Sequence, residues 1–286
     1  MTSLPAAFSK WFKQKGWQLR DYQQTMLTEK DQHDCTLLIA PTGAGKTLSG
    51  FLPSLIELAE TYGMSELAET VEDGAPIEVS ETRQLSGSRE TDEHVETKAT
   101  DRQAKKGKEK GGFNGLHTLY ISPLKALTQD IHRNLLQPIE EMSLPITAET
   151  RTGDTPSHKR QRQRKKPPNI LLTTPESLML MLSYADADKL FGKLKRVIID
   201  ETHSLMANKR GDFLSLALAR LSVFSPHCKR IGLSATVAFP ETLGAWLAGS
   251  DGAANIIKVK AGEKPKVEML HSKARMPFGG FMARYA

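Results

Sequence analysis

The stretch Ala40-Pro41-Thr42-Gly43-Ala44-Gly45-Lys46-Thr47 decides the reading of this chain. It follows a short apolar run, Thr36-Leu37-Leu38-Ile39, that reads as a buried strand, and it precedes a helix-compatible apolar stretch over 48–58. Strand, glycine-rich turn, Lys-Thr and helix together make a phosphate cradle. The glycines let the backbone turn sharply and aim its N–H groups inward at a triphosphate. The start of the helix adds a partial positive charge. Thr42, Gly43, Ala44 and Gly45 are therefore expected to wrap the phosphates. Lys46 is expected to neutralise the β- and γ-phosphates, and the Thr47 hydroxyl to ligate Mg²⁺. Ala40 stands where the strict pattern has Gly. A dinucleotide fingerprint fails, because Leu48 occupies the place of its third glycine.

Working outward, 286 residues suit one large or two small domains, and a 39% apolar fraction supports a real core. No stretch approaches the length of a membrane span. Residues 1–20 alternate basic and aromatic character without an apolar h-region, so no secretory signal is expected. The two cysteines, Cys35 and Cys228, fit a reducing, cytoplasmic compartment as small core residues, and no Cys/His cluster has zinc spacing. The net charge of +6 is compatible with a polyanionic partner without demanding one. Residues 65–115 are poor in aromatics, acidic in their first half and basic in their second. They lack the apolar surface to offset their ordering entropy and read as a disordered insertion, either a solvated one or a tail for a partner.

Strand–helix alternation resumes after the insertion. Strands are expected at 116–122, 146–150, 169–173, 194–199, 230–233 and, at an edge, 255–259. Helices are expected over 124–142, from Pro175 onward and over 212–221. This pattern predicts an α/β fold with a mostly parallel sheet flanked by helices, whose ligands bind beyond the carboxyl ends of the strands.

Apart from Gln23, the candidate site residues fall at or just beyond such ends. Val197-Ile198-Ile199 runs into Asp200-Glu201-Thr202-His203. Adjacent carboxylates at a buried strand end repel unless a cation lies between them. Asp200 would hold Mg²⁺, and Glu201 would polarise the attacking water as general base. Ser234-Ala235-Thr236 ends another strand; its hydroxyls suit a bond to a carboxylate or to His203, coupling the nucleotide to another surface. Pro123 and Lys125, and Thr174 and Pro175, stand in loops that read either as helix caps or as contacts to nucleic-acid phosphates, and Arg151 and Gly153, after a strand, are another candidate contact. The cationic run 159–166 reads either as a phosphate track or as a solvated helix face. Near the N-terminus, Gln23 can read an adenine edge and Trp17 or Tyr22 can stack on the base; a packed N-terminal helix explains the same residues.

In this order the motifs resemble those of superfamily 2 helicases over most of the chain outside 65–115. Gln23 looks like the adenine-reading glutamine and Gly43 to Thr47 like motif I. Pro123 to Leu127 looks like motif Ia and Thr174-Pro175-Glu176 like motif Ib. Asp200 to His203 is a DExH form of motif II, and Ser234-Ala235-Thr236 resembles motif III. The runs 116–127, 149–155 and Asn208-Lys209-Arg210-Gly211-Asp212 look like Lhr-type large helicases, and within them like the bacterial ligase-associated DExH helicases of DNA repair. The resemblance implies a RecA-like domain with ATP and Mg²⁺ as cofactors. It also implies 3′-to-5′ translocation on single-stranded DNA, unwinding that includes DNA–RNA hybrids, DNA repair proteins as partners, and a cytoplasmic, nucleoid-associated setting in a bacterium.

On that resemblance, residues 1–35 form an adenine-reading segment and 36–260 the ATP-binding domain. Residues 261–286 form a linker toward a second RecA-like domain whose motifs IV to VI, with an arginine finger, are missing from this sequence. An absent arginine finger costs about 10³ to 10⁵ in turnover, so poor hydrolysis by the chain alone is expected. Two rival classes remain: a nucleic-acid-binding phosphate-loop module with little catalysis, and a phosphate-loop kinase or GTPase. The GTPase is disfavoured because Asn208-Lys209 is followed by Arg210-Gly211 and not by a guanine-reading Asp.

Overall fold

The computed structural model describes residues 4–41, 43–64, 112–123, 131–249 and 252–259. Thr42, Lys125, the 65–111 part of the insertion and the 261–286 linker lie outside the described residues.

In chain order the elements are α1 (Ala6–Gln14), α2 (Asp21–Thr28), β1 (Cys35–Ile39), α3 (Lys46–Thr61) and β2 (Thr118–Ile121). A π-helical turn (His132–Leu136) then leads into α4 (Gln137–Glu141), β3 (Ala148–Arg151), α5 (Ser157–Lys165), β4 (Ile170–Thr173) and α6 (Pro175–Leu182). The remainder is α7 (Ala187–Phe191), β5 (Arg196–Ile199), α8 (Thr202–Met206), α9 (Lys209–Phe224), β6 (Lys229–Ser234), α10 (Pro240–Ala248) and β7 (Asn255–Lys258). The seven strands form one sheet in the order β3-β4-β2-β5-β6-β1-β7, and every pairing is parallel. This is the parallel sheet expected from the alternation and the RecA-like architecture that the resemblance implies, with β7 at an edge.

Side chains alternate faces along a strand, so a strand buried on both sides feeds two cores. Leu38, Tyr120, Ile170, Leu172 and Ile198 point to the face covered by α1 to α4. Their neighbours Leu37, Ile39, Leu119, Ile121, Leu171, Val197 and Ile199 point to the face covered by α6 to α10. Helix α3 lies very close to the sheet, because a Cβ on Gly50 would stand 3.0 Å from the Leu233 side chain.

Several expectations are refined. Helix α9 starts at Lys209 and not at Asp212, because the Asn208 side chain accepts from the N–H groups of Arg210 and Gly211 and caps it. The described end of the segment read as an insertion, residues 112–115, packs on the body. Phe113 meets His117 edge-on, and its carbonyl accepts from Asn169 Nδ2 at 2.8 Å. Helices α7, α8 and α10 were not anticipated; the first two are five residues each, too short to show a period.

The amino end of the sheet carries a charge cluster. Arg196, 2% exposed, donates through both terminal nitrogens to Glu57 of α3 at 2.8 and 2.9 Å. His117 Nε2 lies 3.4 Å and Lys30 Nζ 3.5 Å from the same carboxylate. Burial alone would raise the Glu57 carboxyl, but the bonds from His117 and Arg196 outweigh it and hold it far below the ordinary carboxylate range.

Candidate nucleotide and nucleic-acid site

The opposite, carboxyl end of the sheet gathers the candidate residues. The central strand ends lie level: Ala40 N–H donates to Ser234 O at 3.1 Å, Asp200 N–H to Ile121 O at 2.8 Å and Ser122 N–H to Thr173 O at 3.1 Å. Parallel strands are about 4.8 Å apart, so the phosphate loop after β1 and the acids after β5, two strands away, stand roughly 10 Å from each other.

The loop turns through Gly43 (φ 78°) and Gly45 (φ 85°), a backbone region open to glycine. Gly45 is the residue before the first turn of α3. Lys46 and Thr47 open the helix, each 8% exposed. Lys46 Nζ donates to the carbonyls of Ala40 at 3.1 Å and Pro41 at 3.3 Å, so its charge is held by neutral partners.

The N-terminal segment grips this loop. Arg20 Nη1 donates to Ala44 O at 2.7 Å, and the Tyr22 hydroxyl donates to the same carbonyl. Gln23, 5% exposed, accepts from Arg20 N–H through Oε1 at 3.1 Å and donates through Nε2 to Ser49 Oγ at 3.2 Å. A side-chain amide has two protons and two lone pairs, and these bonds use one of each. The two aromatic candidates for stacking are placed differently. Tyr22 is buried with its hydroxyl on the loop. Trp17 joins an edge-to-face cluster with Trp11 and Phe12 of α1.

Asp200, 3% exposed, is oriented through both oxygens: the Tyr120 hydroxyl donates to Oδ2, and Glu201 N–H donates to Oδ1 at 2.9 Å. Tyr120 is fixed in turn by stacking on Phe51 of α3, with ring centroids 5.0 Å apart. Glu201 has a left-handed backbone (φ 49°, ψ 40°), which costs a non-glycine residue roughly 1–2 kcal/mol. Its carboxylate lies 3.3 Å from His203 Nε2. Ala235 N–H points at His203 Nδ1 at 3.4 Å, which requires a lone pair there and leaves the ring proton on Nε2, facing Glu201. Ser234 Oγ lies 3.3 Å from the same Nδ1. Thr202 Oγ1 sits between the carbonyls of Ile199 (2.9 Å) and Leu233 (3.1 Å), bolting β5 to β6. Thr236 is exposed.

The other loops differ among themselves. Thr174 caps α6, its Oγ1 accepting from Ser177 N–H at 3.4 Å, and Pro175 is buried in the first turn. Gly153 is exposed and has open space around it. Arg151 is not available as a surface contact. It is 2% exposed and donates to Arg160 O at 3.1 Å and Tyr184 Oη at 3.3 Å. Burial lowers its pKa, with the nearby Tyr184 opposing. The cationic run forms α5, where Arg162 pairs with Glu149 and Arg164 with Asp186, each at 2.6 Å. Sequence reading missed Tyr120, hidden as an apolar-looking strand residue, and Arg210, which reaches Glu176 and Pro123.

A glycine-rich loop with its lysine, an acid pair two strands away and a parallel sheet with the order 3-4-2-5-6-1-7 define a phosphate-loop NTPase of the RecA-like class. Within it, the chain belongs to the DEAD/DEAH box helicase family, whose model matches residues 20–243. It is 35% identical over 84% of its length to the ATP-dependent helicase Lhr-Core of Methanothermobacter thermautotrophicus, covering 24% of that protein. It is 33% identical over 96% of its length to the Lhr helicase/uracil glycosylase of Escherichia coli, covering 16% of it. The structure of Mycobacterium smegmatis helicase Lhr bound to ssDNA and AMP-PNP superposes with a TM-score of 0.65 at 32% identity, over 90% of this chain and 28% of that one. The chain is thus related to Lhr-type helicases and spans a quarter or less of the two curated relatives named here. Among the described residues no helix is long and apolar enough to cross a membrane.

Proposed function

We propose that this chain carries the ATP-binding motor unit of a 3′-to-5′ helicase or translocase that works on single-stranded DNA, including DNA–RNA hybrids, in DNA repair in the bacterial cytoplasm. One observation carries the reading: the Lys46 loop and the Asp200-Glu201 pair share one edge of the sheet, where Lys46 donates to two peptide carbonyls and Asp200 accepts from a tyrosine hydroxyl and a peptide N–H.

The residues fit a hard divalent cation. Mg²⁺ keeps several waters and takes one or two protein oxygens, which matches one oriented carboxylate, Asp200, and one hydroxyl, Thr47. Bound with the nucleotide, Mg²⁺ would supply charge neutralisation at the phosphates. Lys46 leaves the Ala40 and Pro41 carbonyls for the phosphates. Glu201, steadied by His203, accepts the proton of the attacking water. Gln23 offers its remaining donor and acceptor to an adenine edge. The His203–Ser234–Ala235 contacts join the general base to the end of β6, a route by which nucleotide state reaches neighbouring surfaces. The nucleic-acid side is assigned to the loops at Pro123, Gly153 and Thr174-Pro175, with Lys125 close to Pro123 in sequence.

Lys46, Thr47, Asp200 and Glu201 make one wall of the nucleotide site; a second RecA-like lobe completes it, within the same protein or on a partner. The test is binding of a fluorescent ATP analogue and single-strand-stimulated ATP turnover, with Lys46→Ala as control. Nucleotide binding lost with Lys46→Ala supports the reading. Unchanged affinity and turnover in that variant would overturn it. Salt-dependent strand binding without nucleotide binding would favour a plain nucleic-acid module.

A further inference from the structure

The segment Asn208-Lys209-Arg210-Gly211 has no part in the chemistry above, yet each described contact in it serves one geometry. Asn208 caps α9, as described. Gly211 is buried where a Cβ would stand 2.1 Å from the Leu205 carbonyl oxygen, so only glycine lets α9 start tight beneath α8. These two residues aim Arg210 back across the edge of the sheet. Its guanidinium donates to Glu176 through Nε (2.5 Å) and Nη2 (3.1 Å), and to Pro123 O through Nη1 (2.9 Å). Glu176 lies in the first turn of α6, directly after the Thr174-Pro175 loop. Pro123 lies in the loop after β2. The Arg210 bonds lower the Glu176 pKa, so the carboxylate partner is present at neutral pH.

We propose that Arg210 is a positioning residue: it sets the loops after β2 and β4 at a fixed spacing for successive phosphates of a single strand. It also ties both loops to the start of α9. Three hydrogen bonds to two partners support this role over that of a phosphate ligand. A guanidinium has five N–H donors. Three are committed to a carboxylate and a peptide carbonyl, and the paired carboxylate cancels the charge. A lysine cannot reproduce the fork, because an ammonium is a point donor without a planar pair of N–H groups. The inference rests on the nucleic-acid reading proposed above.

Electrostatics and positioning predict opposite signs for one substitution. Glu176→Gln removes a negative charge beside a polyanion site, so charge alone would tighten strand binding. If Arg210 positions the loops, losing its anchor weakens binding instead. The experiment titrates a labelled single-stranded oligonucleotide against the full chain at several salt concentrations, using wild type, Glu176→Gln, Arg210→Lys and the double variant, with thermal unfolding as the fold control. The expected result is roughly two- to fivefold weaker binding in both single variants. The double variant should be no weaker than either, because the two residues act as one unit. The slope of log K against log salt should stay unchanged in Arg210→Lys, because no phosphate contact is lost. Equal or tighter binding by Glu176→Gln would overturn the proposal. A wild-type chain that does not bind the oligonucleotide would overturn the nucleic-acid reading itself, and this inference with it.

Discussion

At the carboxyl end of the sheet, Lys46 is held by two peptide carbonyls and Asp200 by a tyrosine hydroxyl and a peptide N–H; at the amino end, Arg196 and Glu57 hold each other. Both ends bury charge. A charge satisfied by neutral dipoles, as that of Lys46 is, keeps its field and can take a charged ligand. A charge paired with its opposite has its field cancelled and serves the fold. The same residue types thus divide into a reactive pole and a structural pole according to what they touch.

The largest effect that would break this contrast is at the structural pole. Arg196→Ala strands Glu57 without its bidentate partner and should cost about 3–5 kcal/mol of stability, read from the urea unfolding midpoint. In the population that remains folded, nucleotide affinity should be unaltered. Next, Lys46→Ala should lower ATP-analogue affinity by at least about tenfold to a hundredfold, since it removes charge-assisted bonds worth about 1.5–3 kcal/mol, and it should leave the unfolding midpoint nearly in place. If the two substitutions exchanged their phenotypes, the division into poles would be wrong.

A smaller change sharpens the comparison. Tyr120→Phe keeps the ring stack on Phe51 and deletes the hydroxyl on Asp200. The expected result is a loss of roughly fivefold, about 1 kcal/mol, in nucleotide affinity measured with Mg²⁺, and none when measured in excess chelator. Equal losses in both conditions would mean that the hydroxyl supports the fold and not the cation site. The smallest effect is a pH slope. The Glu57 carboxyl is depressed in the folded chain, so its contribution is fully present above the ordinary carboxylate pKa of about 4.3 and declines as pH falls below it. Unfolding midpoints taken from pH 7 to pH 3 should fall less steeply in Glu57→Gln than in wild type.

How well the sequence could be read depended on the same distinction. Gly43, Gly45, Lys46 and the adjacent acids were readable because their chemistry demands a local pattern: positive φ, a helix start, two carboxylates at a strand end. Parallel pairing followed from the alternation, whereas the strand order came only with the structure. Arg151 was misread because its partners, Arg160 O and Tyr184, are 9 and 33 residues away, and nothing local says that an arginine at a strand end turns inward. Tyr120 was invisible for a similar reason. In Thr118–Ile121 it looks like one more β-former, and only the sheet brings it to Asp200, 80 residues on. Arg210 stood in a segment singled out by resemblance, but its reach to Glu176 and Pro123 exists only once α6 and α9 pack together.

Helix α3 begins at Lys46 and carries Glu57 eleven residues later, so the reactive and structural poles are two ends of one rod. At 1.5 Å per residue, about 16 Å separates them. The far end is clamped to the first residue of β5, the strand whose other end holds Asp200. Phosphate loop, rod, clamp and strand therefore close a rigid loop of parts. A displacement of the lysine end of the helix thus loads the Arg196–Glu57 clamp, and through it the strand that ends at Asp200.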